Sequence, residues 1–243
     1  YTVRVVEREK FPRFVIGESL LPRCMEALED AELLDAVKAR GFQEKFGAKF
    51  IKDDLVSDFN FSDQFSTGWT WTWQVERGDF DLTLISEVQR KGVQVDFEAT
   101  VTDIRFFEDE TSLTTAHRKD GSLLEISARF IIDASGYGRV IPRLFGLEKA
   151  SNLAPRKAVF AHVKDVHRNT FGEPNRIIIH SYSPGVWTWV IPFSNGNTSL
   201  GFVGSFDFFD EKCVDESHQF KACIEVDDYM KKRFSDVPWV FEP

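Results

Sequence analysis

The strongest constraint on the fold of this chain is a short stretch near its start, where a strand, a carboxylate and a glycine turn follow one another. The valines of Val3–Val6 predict a buried strand, and this strand ends on Glu7. The segment Ile16–Pro22 predicts a glycine turn that opens into a helix. An acidic residue at a strand end is typical of a dinucleotide-binding unit, in which it accepts hydrogen bonds from a ribose.

Composition limits the remaining possibilities. The 243 residues are 42% hydrophobic and 28% charged, which is sufficient for one or two globular domains with a core. The net charge of −9, without a stripe of Lys or Arg, argues against nucleic acid as a partner. No apolar run approaches the ~20 residues that span a bilayer, so no integral membrane segment is expected.

The cysteines and histidines predict neither a disulfide framework nor a metal site. Cys24, Cys213 and Cys223 are odd in number and lack the spacing of metal ligands, which indicates a reduced, cytoplasmic setting. The five histidines have no zinc spacing. His162 and His180 fall in predicted strands and are expected to be core or surface residues.

The residues around the first strand resemble a known family. Glu7-Arg8, the Phe-Pro-Arg that follows and the Ile-Gly-Glu-Ser-Leu-Leu-Pro segment resemble FAD-dependent oxidoreductases of the p-hydroxybenzoate hydroxylase type. The resemblance is closest to flavin-dependent (tryptophan-type) halogenases and to the geranylgeranyl reductase branch. It implies FAD as the cofactor, with contacts from Glu7, Arg8, Gly17, Glu18 and Ser19. Glu18 is also expected to fix the glycine loop by capping the following helix.

The resemblance further implies that this sequence is a fragment of a longer enzyme. A G-x-G-x-x-G loop is expected about 20 residues before Glu7, upstream of Tyr1. A Gly-Asp segment, which such flavoproteins use near the ribityl chain, is expected beyond Pro243.

A second stretch matches the same family far along the chain. Phe130–Asp133 predicts a third buried strand of the nucleotide-binding sheet, beside Val3–Glu7 and Val93–Phe97. It leads into a turn of small residues, whose backbone can come close to a ligand. In the family this turn lies against the dinucleotide, which implies cofactor contacts from Asp133, Ala134, Ser135 and Gly136.

Two shorter matches lie between these stretches. Val75–Asp81 resembles the V-x-R-x-x-F-D segment of the family, in which the arginine, here Arg77, faces FAD. Phe97–Val101 resembles the segment whose backbone recognises adenine, which implies a contact from Val101. A solvated helix start is the alternative explanation for Arg77.

Hydrophobic periodicity predicts the remaining elements. Helices are predicted at Arg23–Arg40, Asp79–Lys91 and Asp215–Phe234. Strands of period two are predicted in a three-stranded meander and in the second half of the chain, at Thr100–Phe107, Leu113–Arg118, Leu123–Ile126, Ala158–Val166, Arg176–Ser181, Trp187–Pro192 and Thr198–Val203.

These elements predict a mixed α/β (α+β) fold with two parts. One is a Rossmann-like FAD-binding sheet with a β-meander, formed by residues 1–44 and 74–150. The other is an antiparallel β-sheet substrate domain, formed by residues 45–73 and 151–215. Residues 216–243 are expected to be a helix that leads back toward the FAD domain.

Tryptophans are predicted to line the substrate. Trp187–Pro192 fits the W-x-W-x-I-P motif that marks flavin-dependent halogenases, and Trp69–Trp73 puts three indoles on one face of a predicted strand. The resemblance therefore implies substrate contacts from Trp71, Trp73, Trp187 and Trp189. An aromatic pair on a half-buried strand is the alternative explanation of the second motif.

Lys45 is the predicted catalytic residue. Lys45–Phe50 matches the K-x-x-x-K-F and K-x-G-A-x-F settings of the catalytic lysine in halogenases. Such a lysine donates a hydrogen bond to hypohalous acid or captures it as a haloamine, and capture requires the neutral amine, which burial favours. The alternative is that Lys45 and Lys49 form the wet face of an edge strand.

The leading functional prediction is therefore flavin-dependent halogenation of an aromatic or carrier-bound substrate. A flavin monooxygenase and a geranylgeranyl-reductase-like double-bond reductase are alternatives on the same scaffold, which fold alone does not separate. A non-enzymatic binder of an apolar ligand is a remote alternative. Because no domain for NAD(P)H is evident, reduced flavin is expected from a separate flavin reductase.

Overall fold

The structure, a computed structural model, describes residues 1–210, 215–226 and 228–241, so Cys213 and the last two residues lie outside it. Its strands are β1 Arg4–Val6, β2 Gln43–Lys45, β3 Gly47–Lys52, β4 Leu55–Asn60, β5 Thr72–Gln74, β6 Gln94–Asp96, β7 Ala99–Phe106, β8 Ser112–Arg118, β9 Leu123–Ala128, β10 Lys157–Lys164, β11 Ile178–Ser183, β12 Val186–Pro192 and β13 Asn197–Gly204. Its helices are α1 Arg23–Asp30, α2 Leu34–Lys38, α3 Arg77–Arg90, α4 Val140–Leu144, α5 Phe206–Asp210, α6 Glu216–Ile224 and α7 Asp228–Phe234.

The chain divides into two compact units, and each is built from separate stretches of sequence. The first unit combines Tyr1–Phe14 with Asp81–Asn152. The second combines Val15–Phe80 with the described residues of Leu153–Pro243. The fold is thus mixed α/β, as the sequence predicts.

The first unit contains a parallel strand pair and an antiparallel meander. Strand β1 pairs in parallel with β6, which confirms the strands predicted at both positions. Strands β7, β8 and β9 form the predicted meander. Asp96 ends β6, and it accepts hydrogen bonds from Arg4 Nε at 2.6 Å and Arg118 Nη2 at 2.8 Å. These bonds lower the pKa of Asp96 and join the parallel pair to the meander.

The prediction of a buried strand at Phe130–Asp133 is wrong for the described structure. The residues after β9 form no ladder, and Phe130 and Ile132 are 82% and 81% exposed. The prediction rests on the apolar run and on the family resemblance of the turn that follows it. A strand needs a neighbour that accepts its backbone hydrogen bonds, and periodicity cannot supply that neighbour.

The second unit is built on a six-stranded sheet in the order β10-β13-β12-β11-β3-β4. The four strands predicted in the second half of the chain are confirmed and form one side of the sheet. One pair departs from the antiparallel prediction, because β11 and β3 run parallel. The sheet is therefore mixed, and it joins the hairpin β3–β4 to strands that come more than 100 residues later.

One face of this sheet packs against the helices at the end of the chain. Buried residues of β10, β12 and β13 contact apolar side chains of α5, α6 and α7 in a single hydrophobic cluster. Representative members are Val190, Leu200, Phe202, Phe220 and Phe234. The opposite face carries Trp187 and Trp189, because successive side chains of a strand alternate between faces.

A small three-stranded ribbon completes the second unit. Strand β2 pairs antiparallel with β5, with Lys45 opposite Thr72. On the other side of β5, an antiparallel bridge pairs Ser19 with Gln74, so the glycine-loop segment forms the third strand. At Phe46 the chain leaves the ribbon and enters the larger sheet.

The helices are shorter than predicted. The helix predicted at Arg23–Arg40 is two helices, α1 and α2, and they are separated by a turn in which Glu32 has φ +55°. The helix predicted at Asp215–Phe234 is also two, α6 and α7. Within the described ranges, no helix has the length and apolarity needed to cross a membrane.

Candidate active site

In the first unit, Glu7 lies at the carboxyl end of β1. Glu7 N donates to Asp96 O at 2.9 Å, and Ala99 N donates to Glu7 O at 3.0 Å, so the backbone is held on both sides. The carboxylate oxygen Oε1 accepts the amide of Glu9 at 2.8 Å, and Oε2 lies 3.6 Å from Arg13 Nη2. The strand end therefore presents a fixed carboxylate, as a ribose acceptor requires.

A groove of about 700 Å³ borders this strand end within the first unit. Its charged lining has an excess of positive charge, because two glutamates, Glu9 and Glu98, face five basic residues, Arg8, Lys10, Arg13, Arg118 and Lys119. Arg8 is exposed and its Nη2 lies 2.9 Å from Glu9 Oε1. Thr100 also lines the groove and precedes Val101, the residue predicted to contact adenine. Such a lining is suited to a phosphorylated nucleotide.

The turn at Asp133–Gly136 also belongs to the first unit. Asp133 Oδ1 accepts Ser135 N and its Oδ2 accepts Ile141 N, both at 2.9 Å, and hydrogen bonding by Ser135 lowers the pKa of Asp133. Ser135 Oγ accepts Val140 N at 2.9 Å. The two side chains thus hold the start of α4, while Ala134 and Gly136 remain exposed.

The glycine loop lies in the second unit and is held by an arginine. Gly17 has φ +109°, a backbone conformation that residues with side chains rarely adopt. Arg77 Nη1 donates to Ile16 O at 3.1 Å and to Gly17 O at 3.4 Å. A Cβ at Gly17 would lie 2.8 Å from that nitrogen. Arg77 begins α3, but its guanidinium is not simply solvated, as the alternative explanation would require. It fixes the loop by donating to two of the loop's carbonyl oxygens.

Glu18 does not cap the following helix, contrary to the prediction. Helix α1 has no side-chain cap hydrogen bond. The carboxylate of Glu18 is instead buried, with Oε1 at 2.5 Å from His162 Nε2 on β10. His162 is held between the rings of Phe193 and Phe241, with centroids 5.1 and 4.8 Å away. This pair ties the glycine loop to the six-stranded sheet, a contact that only the tertiary structure reveals.

Lys45 is buried in the ribbon, so the wet-face alternative is wrong for this residue. Its side chain is 5% exposed, and Nζ donates to Leu20 O at 2.8 Å. The Nζ atom also lies 5.2 Å from the centroid of the Phe61 ring. Among the described residues, no carboxylate forms an ion pair with it. Burial lowers the pKa of Lys45 from 10.5 to about 8.

Lys49, four residues later, has a different environment. Its ammonium lies 3.4 Å from Asp58 Oδ2 and is also paired with Glu173. Hydrogen bonding to Glu173 raises the pKa of Lys49, the opposite direction from Lys45. Lys49 is therefore a partly exposed, charge-paired residue, although its strand β3 lies between β11 and β4 and is not an edge strand.

The predicted substrate-lining tryptophans lie in the second unit. The rings of Trp71 and Trp73 pack edge to face at 5.0 Å, and Trp73 is buried. Trp187 and Trp189 share one face of β12, and Trp189 Nε1 donates to Ser199 Oγ at 3.0 Å. Opposite Trp189 is Gly201, where a Cβ would come within 2.1 Å of the indole. The aromatic motif is thus accommodated by a glycine on the neighbouring strand.

Sequence reasoning missed Thr72 and Gln74 as site residues, and it gave His162 no specific role. Thr72 lies opposite Lys45, and Gln74 Nε2 donates to Pro192 O at 2.6 Å. The sequence signal for Thr72 is the Trp-Thr-Trp alternation, which places Thr72 on the face opposite the tryptophans. The sequence does not predict which strand pairs with β5.

The first unit combines a carboxylate at a strand end with a basic groove, the arrangement expected of a nucleotide-binding protein. The family described as FAD binding domain matches residues 2–219. The chain belongs to this family, and FAD is the cofactor that the family defines.

Relatives within this fold include halogenases. A 1H-pyrrole-2-carbonyl-[peptidyl-carrier protein] brominase of Pseudoalteromonas luteoviolacea is 28% identical, over 97% of this chain and 57% of the relative. The sulochrin halogenase gedL of Aspergillus terreus is 28% identical, over 91% of this chain and 45% of the relative. The chain thus spans about half the length of the curated relatives it matches.

Solved structures give the same fold. A flavoprotein/dehydrogenase from Cytophaga hutchinsonii is 57% identical with a TM-score of 0.94, over 99% of this chain and 59% of that one. CmlS, a flavin-dependent halogenase, is 25% identical with a TM-score of 0.86, over 100% of this chain and 44% of that one. The predicted fold class and the resemblance are therefore confirmed.

Proposed function

We propose that this chain is part of an FAD-dependent halogenase in which Lys45 handles the halogenating species. The observation that carries the proposal is the state of Lys45, a buried amine with a lowered pKa and a single backbone carbonyl as its hydrogen-bond acceptor. A lysine kept for structure is normally paired with a carboxylate, as Lys49 is. The halogenase relatives support the same function.

The chemistry assigned to Lys45 is capture of a hypohalous acid. Bound FAD supplies the oxidising chemistry from which that acid is made. The neutral amine nitrogen of Lys45 attacks the halogen, the N–X bond forms, and the O–X bond breaks. The hydroxide leaving group takes the amine proton and departs as water. With a pKa near 8, roughly a tenth of the amine is neutral at pH 7.

The residues of the first unit fit the nucleotide part of FAD. The carboxylate of Glu7 is fixed at its strand end, and Arg8 contributes positive charge to the adjoining groove. We propose that Glu7 holds the ribose, that the backbone near Val101 contacts adenine, and that the Asp133–Gly136 turn contributes backbone amides. Because Asp133 is already bonded to two amides, its carboxylate is assigned to the turn and not to the cofactor.

In the second unit, the glycine loop supplies further cofactor contacts in this proposal. Gly17 has no Cβ that would meet the Arg77 guanidinium, which donates to the Gly17 carbonyl. Ser19 belongs to the same segment, and the pair of Glu18 with His162 keeps it in place. The tryptophans Trp71, Trp73, Trp187 and Trp189 remain the proposed substrate contacts.

The substrate is proposed to be an electron-rich aromatic group, free or bound to a carrier protein. The brominase relative acts on a pyrrole attached to a peptidyl-carrier protein, which supports the carrier-bound form. A separate flavin reductase is proposed as the source of reduced flavin.

The test is replacement of Lys45 in the full-length protein. Lys45→Ala should reduce halogenated product at least 100-fold, measured by mass spectrometry with reduced FAD and bromide supplied. Absorbance at the flavin bands should stay at wild-type level, because Lys45 is not proposed to hold FAD. Lys49→Ala is the matched control, and it should keep most of the activity.

Undiminished product from Lys45→Ala would remove Lys45 from the mechanism. Oxidised or reduced product without halogen incorporation, in wild type under every halide condition, would favour a second candidate function. That candidate is a dehydrogenase, and it is favoured by the 57% identical structure described as a flavoprotein/dehydrogenase.

A further inference from the structure

An arginine lies at one end of the six-stranded sheet in the second unit. Arg156 comes one residue before β10, and Gly185 comes one residue before β12. Both strands run antiparallel to β13, which lies between them, so the two residues are at the same end of the sheet. Arg156 Nη1 donates to Gly185 O, and its guanidinium carbon lies 5.3 Å from the centroid of the Trp187 ring. The arginine side chain therefore reaches across the end of β13, on the face of the sheet that carries the tryptophans.

These contacts orient the guanidinium of Arg156 without neutralising its charge. Gly185 O accepts from one of its N–H donors, and the indole of Trp187 lies against it. Among the residues that the structure describes, no carboxylate forms an ion pair with Arg156, and the residue is exposed. A Cβ at Gly185 would overlap Nη1, so the turn leaves room for the arginine. An oriented, exposed arginine without a carboxylate partner is suited to binding a phosphate group.

The same face of the sheet leads from this arginine to the glycine loop. Arg156 lies six residues before His162, whose Nε2 contacts Glu18 of that loop. At ~3.3 Å per residue, six residues of strand span about 20 Å. Aromatic rings line the interval, because the Phe160 ring lies 6.4 Å from that of Phe241, which lies 4.8 Å from the ring of His162. The charge of Arg156 is therefore far from the proposed site of chemistry but joined to it by an aromatic surface.

This separation distinguishes two sources of negative charge. A carboxylate attached to a small aromatic substrate lies too close to the ring to reach Arg156 while the ring is beside the glycine loop. The phosphopantetheine arm of a carrier protein has a phosphodiester at one end and the acyl thioester at the other, with a long chain between them. We propose that Arg156 binds the phosphate of such an arm, which then lies along the Trp187 side of the sheet. The inference rests on the carrier-bound form of the proposed function.

The test is calorimetric titration of the full-length protein, with its FAD, with two probes. One probe is benzoyl-phosphopantetheine, and the other is benzoyl-pantetheine, which lacks the phosphate. The benzoyl ring is not electron rich, so neither probe is consumed. Wild type should bind the phosphorylated probe about 10-fold more tightly, because hydrogen bonds between charged groups are strong. Arg156→Gln should bind both probes equally, and Arg156→Lys should keep part of the preference, since it retains the charge but not the planar fork.

Lys38→Gln is the matched control, because Lys38 also lies over an indole, 5.7 Å from the centroid of Trp69. This variant should keep the full preference for the phosphorylated probe. In Arg156→Gln, the flavin absorbance and the affinity for benzoyl-pantetheine should stay at wild-type level, which separates recognition of phosphate from a structural role.

Three results would overturn the assignment. They are no preference or no binding in wild type, an undiminished preference in Arg156→Gln, and an equal loss of affinity for both probes in that variant. Failure of the proposed function is distinguishable, because wild type would then yield no halogenated product while the two probes still report whether Arg156 reads the phosphate.

Discussion

Two regions of the second unit bury charged side chains in opposite ways. In the first, which we call the Asp165 cluster, the carboxylate of Asp165 accepts Arg233 Nη2 at 2.6 Å and Thr198 Oγ1 at 2.8 Å, and Arg168 Nε lies 3.5 Å away. In the second, the ribbon, Lys45 has only a backbone carbonyl, and its neighbour Thr72 has a hydroxyl without a partner among the described residues.

The difference separates a structural use of buried charge from a functional one. The Asp165 cluster joins β13, α7 and the turn after β10, and Arg233 also donates to Tyr229 Oη at 2.6 Å. Its one carboxylate, Asp165, is compensated by two guanidinium groups of the protein. The ribbon leaves its amine uncompensated, which costs stability and keeps the amine reactive.

The largest expected effect comes from breaking the Asp165 cluster. Asp165→Ala leaves two buried guanidinium groups, Arg168 and Arg233, without their carboxylate, and should lower the free energy of unfolding by about 3–5 kcal/mol. Chemical denaturation of the full-length protein measures this. Glu225→Ala is the control, because its ion pair with Lys231 is exposed and should contribute little to stability. Equal effects of the two variants would show that the cluster is not structural.

The second effect has the opposite sign. Lys45→Met keeps the apolar stem and removes the buried charge, so it should raise the free energy of unfolding. The shift of the pKa from 10.5 to about 8 bounds the gain. At about 1.4 kcal/mol for each pKa unit, the gain at pH 7 is as much as ~3 kcal/mol.

The gain from Lys45→Met should depend on pH in a defined window. The folded protein releases the proton of Lys45 near pH 8, and the unfolded chain does so near pH 10.5. Below pH 8 the full cost of the buried charge is present, and it fades between these two values. Wild type and variant should thus converge in stability toward pH 10.5. A gain that stays constant over this range would indicate that packing, and not charge, is responsible.

The sequence predicts the elements more completely than it predicts their neighbours. The four strands of the second half and the meander are confirmed, because alternation and turn residues are local signals. The parallel pairing of β11 with β3 is a long-range event with no local signal. For the same reason, the apolar run Phe130–Asp133 predicts a strand where the described structure has no ladder.

In the candidate site, too, local features are predicted from the sequence and long-range contacts are not. Motif resemblance indicates Lys45 and Gly17, but it does not predict whether Lys45 faces water. The burial of Lys45 depends on the ribbon, whose three strands are far apart in sequence. The local pattern predicts that Glu18 caps a helix, yet its partner His162 lies 144 residues away.

The smallest effect distinguishes two buried threonines and sharpens the comparison most directly. Thr188→Val removes a hydroxyl that donates to Gly201 O, and it should cost about 1 kcal/mol of unfolding free energy. Thr72→Val removes a hydroxyl with no partner among the described residues, so it should be neutral or stabilising. Thermal unfolding of wild type and both variants measures the two effects. If Thr72→Val costs as much as Thr188→Val, the Thr72 hydroxyl already has a partner, and the ribbon resembles the Asp165 cluster as a structural element.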